Sequence, residues 1–297
     1  MTGAMILFGS SLFFLYALPR NGEAAAHSLK WPRPLILLAA AGLLVACVLG
    51  LLSQTVVLAG SMQEGLTYDA LSAVVTGMSF GKSSCARALV AAVFFIAFAL
   101  RKSDRRGWWL GVIAGGLICA SFAWMGHGAA TKGAPGLLHL GSDILHTLAA
   151  AVWIGALVAF LILLAGGDRG TDARRQALHR ALHGFSGVGS GLVAVLVATG
   201  LINSWFLVGL EGLAGLWTSA YGQLLTLKLV LFLAMVGLAG ANRFQLTPRL
   251  GAALGGGSSA QQAIAALRKS LIWETGISMA VLGIVAWFAM LAPPSAA

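Results

Sequence analysis

Apolar runs of about 17–25 residues recur along this chain, each long enough to cross a bilayer as a helix. That recurrence leaves few folds open. Only helices and closed barrels satisfy their backbone hydrogen bonds inside lipid. The runs lack the two-residue alternation of barrel strands. The expected fold is therefore all-α, a polytopic membrane protein embedded in a lipid bilayer. Composition agrees: 59% of the 297 residues are hydrophobic and 9% charged, unlike a soluble domain.

Eight spans are expected, over roughly 2–18, 34–53, 84–100, 108–125, 137–165, 185–205, 223–241 and 271–291. Lys and Arg concentrate in loops 19–33, 101–107, 166–184 and 242–270. They are scarce in the alternate loops 54–83, 126–136 and 206–222. The basic loops are expected to be cytoplasmic. Both termini then lie on the opposite side, which in a Gram-negative bacterium is the periplasm. The net charge of +10 follows this alternation and does not form a nucleic-acid patch. No positive segment precedes the first apolar run, so it is expected to be retained and not cleaved as a signal peptide. Cys47, Cys85 and Cys119 have no ligand or redox spacing and are expected to pack.

Loop 54–83 is partly apolar and suits short interfacial helices. The stretch GAALGGGSSAQQ (251–262) is expected to be a flexible linker. A faint echo joins TGMSFGKSSCAR (76–87) to TSAYGQLLTLK (218–228). Each has Thr, then an aromatic residue followed by Gly, then a basic residue six positions after the Gly. Four spans separate the two, so the chain is expected to divide into halves of like orientation, 1–136 and 137–297.

The chemistry gathers at the start of the fifth span. His139, Asp143 and His146 are spaced i, i+4, i+7 and share one helix face, which Trp153 continues. The two histidines stand roughly 10 Å apart along the axis, too far for one ion on a straight helix. The arrangement suits two successive metal stations, or a histidine ligand oriented by a carboxylate. Met125 and His127 end the fourth span, a short loop away, so His127 and His139 are expected to converge. Imidazole with a nearby thioether suits copper. Met62 and Met78, on the adjacent periplasmic loop, offer a softer entry point, although methionine alone often only fills gaps. Below His146 the fifth span offers only Thr147 and Trp153 as non-aliphatic side chains, and no ladder of ligands continues to the cytoplasm.

The remaining polar residues have simpler readings. His179 and His183 sit in a basic loop and are expected to be solvated. His27 has no partner. Lys228 and Arg87 are expected to snorkel to the periplasmic interface, or else to pair with a carboxylate such as Glu211 or Asp69. Asn203 and Trp205 look interfacial. No nucleophile motif, P-loop or dinucleotide fingerprint is present. An ATP-driven pump is thereby excluded, and the chain is expected not to be an enzyme.

Four stretches in series, HLGSDILHTLAAAVWIGAL (139–157), TGLINSW (199–205), TSAYGQLLTLKLVLF (218–232) and ANRFQLTPRL (241–250), resemble the CopD/PcoD copper-resistance family of inner-membrane proteins. The resemblance covers about 137–292. The first half is similar more loosely, through TGMSFGKSSCARALV (76–90). The resemblance implies a protein that moves copper, Cu(I) or Cu(II), across the inner membrane towards the cytoplasm. It also implies a periplasmic copper-binding partner of the CopC type, fused to the chain in some relatives and separate here. His139, Asp143 and His146 are the site positions it carries over.

Other readings compete. One is a receptor or assembly factor that hands copper on without transporting it. Another is a b-type haem electron carrier, which needs a second axial histidine at the depth of His146 on another helix. A metal-free scaffold is the third.

Overall fold

The computed structural model describes residues 1–17, 32–101, 105–125, 133–165, 172–209, 211–253, 258–288 and 291. Twelve α-helices are described: α1 (Thr2–Ala17), α2 (Pro32–Ala59), α3 (Met62–Gly65), α4 (Tyr68–Gly77), α5 (Ser79–Leu100), α6 (Arg105–Ser121), α7 (Gly133–Ala165), α8 (Asp172–Leu207), α9 (Gly215–Thr218), α10 (Ala220–Ala241), α11 (Thr247–Ala252) and α12 (Ser258–Phe288). A 3-10 turn, Phe122–Met125, follows α6, and a π turn, Asn242–Leu246, joins α10 to α11. No strand occurs among the described residues.

Seven helical segments are long and apolar enough to cross a membrane: Arg33–Ala59, Ser79–Leu100, Arg105–Trp124, Gly133–Leu164, Leu178–Leu207, Ala220–Ala252 and Ser259–Trp287. They match seven of the eight expected spans. The eighth, α1, has 16 residues. At ~1.5 Å per residue it falls short of a hydrocarbon core ~30 Å thick.

That short helix is nevertheless central. It packs against α7, α6 and α2, with Ala4, Leu7, Ser10, Phe13 and Phe14 buried. Its crossing with α7 is very close. A Cβ at Gly9 would collide with the Ala151 carbonyl, and one at Gly155 would collide with the Gly9 backbone. Small residues let membrane helices approach in this way. Ser10 Oγ donates to the Gly155 carbonyl at 3.0 Å, so the hydroxyl is satisfied inside the crossing. Phe13 meets Phe160 edge to face, 5.1 Å between centroids. By contrast, Leu38, Val57, Leu201 and Leu233 point outward and are more than 65% exposed, as lipid-facing side chains should be.

Several local expectations need adjusting. The loop 54–83 does form short helices, α3 and α4, capped by the Ser61 and Thr67 hydroxyls. The basic loop 166–184 is largely helical, because α8 begins at Asp172. The Gly/Ser stretch is not all linker. Gly251 and Ala252 close α11, and Ser258 opens α12. On the basic side, Arg33 reaches the Ala99 carbonyl at 2.5 Å and Arg268 the Leu164 carbonyl at 2.9 Å. Each cation thereby caps a helix C-terminus, where the peptide dipoles favour positive charge.

Candidate metal centre

α7 carries the polar stripe, and α8 and α10 supply its partners. His146 Nδ1 lies 2.9 Å from Thr199 Oγ1. The Thr199 hydroxyl donates its own hydrogen to the Val195 carbonyl at 2.6 Å. It therefore accepts from His146, which puts the imidazole hydrogen on Nδ1. The lone pair is left on Nε2, the arrangement of a histidine ligand held by an outer partner. The ring rests beside Gly200, which presents no side chain to it. One turn earlier, Ser142 Oγ donates to the Thr199 carbonyl at 3.1 Å, locking α7 to α8 at the same level.

His139 is buried at 3% exposure. Its ring stacks on Phe206, with centroids 4.7 Å apart and planes 8° from parallel. Asp143, half-buried, is the negative charge that offsets the Lys228 ammonium from α10. Lys228 is also the positive charge felt by His146. The snorkelling expected for Lys228 is thus replaced by a charge partner inside the stripe, because α10 packs with its Lys228 face inward. The carboxylate is Asp143, where Asp69 or Glu211 had been expected. Asn203 joins the group from α8. Its amide oxygen is buried and has no hydrogen-bond partner among the described residues, which makes it more than interfacial. Trp205 is 61% exposed, as an interfacial residue should be.

Arg87 does not snorkel either. It is 6% exposed. Its Nε donates to Ser121 Oγ at 2.9 Å, and its guanidinium lies 4.6 Å over the Phe122 ring. The end of the fourth span therefore provides the polar and π partners that make burial tolerable.

The other candidates are placed less informatively. His27 and His127 lie outside the described residues, as do the side chains of Met125 and Glu211. The 3-10 turn ending at Met125 does pack on α7, near the stripe. Met62 opens α3 and is 70% exposed; Met78 caps α5 and is 36% exposed. Both belong to elements packed on α2 and α5. Among the described residues no three His, Cys, Asp or Glu side chains converge to hold a metal. This accords with the ~10 Å axial step between His139 and His146. His179 and His183 stack at 6.3 Å near the opposite end of α8.

A second polar group lies two turns below His146. Trp153 Nε1 donates to Glu274 Oε1 at 2.9 Å, and Asn242 Nδ2 donates to Glu274 Oε2 at 2.9 Å. Glu274 and Asn242 were not anticipated. The one visible signal was an acidic residue within the eighth apolar run, which is expensive in lipid.

Comparison with known proteins gives the family. The family model described as copper resistance protein D matches residues 179–288. The model described as copper resistance protein D-like, N-terminal domain, matches residues 1–137. Copper resistance protein D of Pseudomonas syringae pv. tomato is 36% identical over 294 residues, covering 98% of this chain and 94% of that protein. Inner membrane protein YebZ of Escherichia coli (strain K12) is 34% identical over 131 residues, 43% of this chain and 42% of that one. Copper transport protein CutJ of Bacillus subtilis (strain 168) is 27% identical across 99% of this chain and 51% of its own. No solved structure matches. With both halves matched by the family's models and a relative similar along nearly its whole length, the chain belongs to the copper resistance protein D family of membrane proteins.

Proposed function

We propose that this chain takes up copper on the periplasmic side of the inner membrane and carries it towards the cytoplasm. The observation that carries the reading is His146. It sits on the inward face of a spanning helix, held through Nδ1 by Thr199, with Nε2 left for a ligand. A histidine kept in that tautomer within a membrane is costly unless it is used. Copper, in either oxidation state, accepts imidazole nitrogen. The buried amide oxygen of Asn203, one turn beyond Thr199 on α8, adds an acceptor between the levels of His146 and His139. The Asp143–Lys228 pair balances charge beside the site, so a cation can arrive without leaving a bare carboxylate behind.

In this reading His139 and His146 are successive stations, with His127 and Met125 contributing from the neighbouring span end. Met62 and Met78 are the outermost contacts. A CopC-type periplasmic copper-binding protein delivers the ion, and both chain termini face that compartment. The protein acts as a carrier and catalyses no covalent step. The haem alternative requires a second histidine at the level of His146. Among the described residues the others are His139 on the same helix and His179 and His183 near the far end of α8.

The halves 1–136 and 137–297 are proposed as two like-oriented repeats. In each, a short helix turns sharply into a span. The third residue of that span is a glycine pressed on the backbone seven positions earlier: Gly81 on Val74, and Gly222 on Gly215. Six residues further on stand Arg87 and Lys228, each with a partner inside the helix bundle.

The test is elemental analysis of the purified protein after copper loading and desalting, beside His146→Ala, together with copper uptake into proteoliposomes. The reading expects copper in the parent, none in the variant, and uptake by the parent alone. Copper bound without uptake points to a receptor. Stoichiometric haem iron, or a variant that still retains copper, removes the proposed site.

A further inference from the structure

The lower polar group lines a cavity of about 300 Å³ between α7, α8, the π turn and α12, with Trp153, Phe185, Ser190, Asn242, Arg243 and Glu274 in its wall. Glu274 is 2% exposed and lies within the apolar span Ser259–Trp287. Both carboxylate oxygens accept hydrogen bonds, yet both donors are neutral. Among the described residues no basic side chain pairs with it. Arg243, at the same cavity, is turned away: it donates to the Ser186 carbonyl and to Ser190 Oγ on α8 and lies over Phe244. Asn242 is 7% exposed, lines the cavity, and its Oδ1 has no hydrogen-bond partner among the described residues. The site therefore holds one potential negative charge and a spare acceptor, and its lining cation, Arg243, is bonded to α8 and not to the carboxylate. The cavity backs on a π turn, a distortion that often accompanies functional sites.

From this geometry we propose that Glu274 is a proton-binding site of the transport cycle, exchanging its proton with water in the cavity. In one state the carboxyl group keeps its proton and is neutral. In the other it gives the proton to a cavity water. The resulting carboxylate is held by the Trp153 and Asn242 N–H groups until a cation passes or a proton returns. Trp153 and Asn242 are positioning residues. Asn242 Oδ1 accepts from the water that receives the proton. Other charged or titratable groups on the surrounding elements include His139, Asp143, His146 and Lys228 above, His179, Arg180 and His183 below on α8, Arg249 on α11, and Arg268 and Lys269 on α12. Arg268 is engaged with the Leu164 carbonyl.

The role in a cycle rests on the transport reading, but protonation can be read without it. Infrared difference spectra of the purified protein in lipid, between acid and alkaline buffer, should contain the carbonyl band of a protonated carboxylic acid, shifted in deuterium oxide. Glu274→Gln should lose that band. Trp153→Phe removes one donor to the carboxylate and should change the midpoint of that band's pH dependence, because a hydrogen bond to the charged form is lost. A parent spectrum in which no band depends on Glu274, or a midpoint that Trp153→Phe leaves in place, overturns the proposal. In proteoliposomes, parent uptake should respond to a pH gradient and Glu274→Gln uptake should not. A parent that transports copper regardless of the gradient overturns the coupling. A parent that shows the Glu274 band but moves no copper overturns the transport reading and leaves the proton site standing.

Discussion

The two ends of α7's polar stripe are built from different materials. At the outer end, His139, Asp143 and His146 come from eight consecutive residues, and neighbouring helices supply Thr199 and Lys228. The donors there are imidazole nitrogens, and a carboxylate and an ammonium balance one another. At the inner end, Trp153, Asn242 and Glu274 come from three distant stretches and meet through two hydrogen bonds of 2.9 Å. There two neutral N–H donors hold one acid, and among the described residues no basic side chain pairs with it. Imidazole nitrogen selects a borderline metal ion. A carboxyl group between neutral donors suits a proton. In the proposed reading, one helix thus presents, two turns apart, a place for cargo and a place for an exchangeable charge.

Substitutions can break that contrast, beginning with the largest effect. His146→Ala should reduce retained copper to background in elemental analysis while leaving insertion and monodispersity intact. Thr199→Val keeps the shape but removes the acceptor that sets the His146 tautomer. It should weaken copper affinity by about 10–100-fold in a competition titration, the usual cost of losing an outer-shell partner. Glu274→Leu leaves the Trp153 and Asn242 N–H groups without an acceptor. It should lower unfolding stability in detergent by about 1–3 kcal/mol and spare copper retention at the outer end. Asp143→Asn and Lys228→Met should each impair binding, and the double variant should recover part of the loss. A coupling of about 0.5–3 kcal/mol is expected if the two charges act on one another as a unit. His179→Ala and His183→Ala should change copper affinity by less than about twofold in the same titration, because both lie near the other end of α8.

The outer end was legible because its spacing lies within one helix. An i, i+4, i+7 pattern places His139, Asp143 and His146 on one face whatever the helix packs against. The inner end was not. Glu274 lies 121 residues from Trp153, and no local period relates them. Its buried charge within an apolar run was the available clue. Thr199 was hidden for a similar reason: a threonine in a spanning helix usually bonds its own backbone, as Thr199 also does. For Lys228 and Arg87 the sequence leaves snorkelling and a partner inside the bundle both open, since a long basic side chain near a helix end commonly snorkels. Packing turned both inward instead.

Membrane insertion depends on local hydrophobicity over ~20 residues. The apolar runs therefore suffice for an all-α, multi-spanning chain. The alternation of Lys- and Arg-rich loops sets an expected orientation, and the helical period places the His/Asp face. Tertiary structure decided what those local signals do not contain. Gly9 and Gly155 let the 16-residue α1 press into the centre of the bundle. Packing then brought Thr199 to His146, Lys228 to Asp143, and Trp153 and Asn242 to Glu274. The physical reason is that helices in lipid choose neighbours by close packing and polar satisfaction. Both depend on side chains that are remote in sequence and meet only in the assembled bundle.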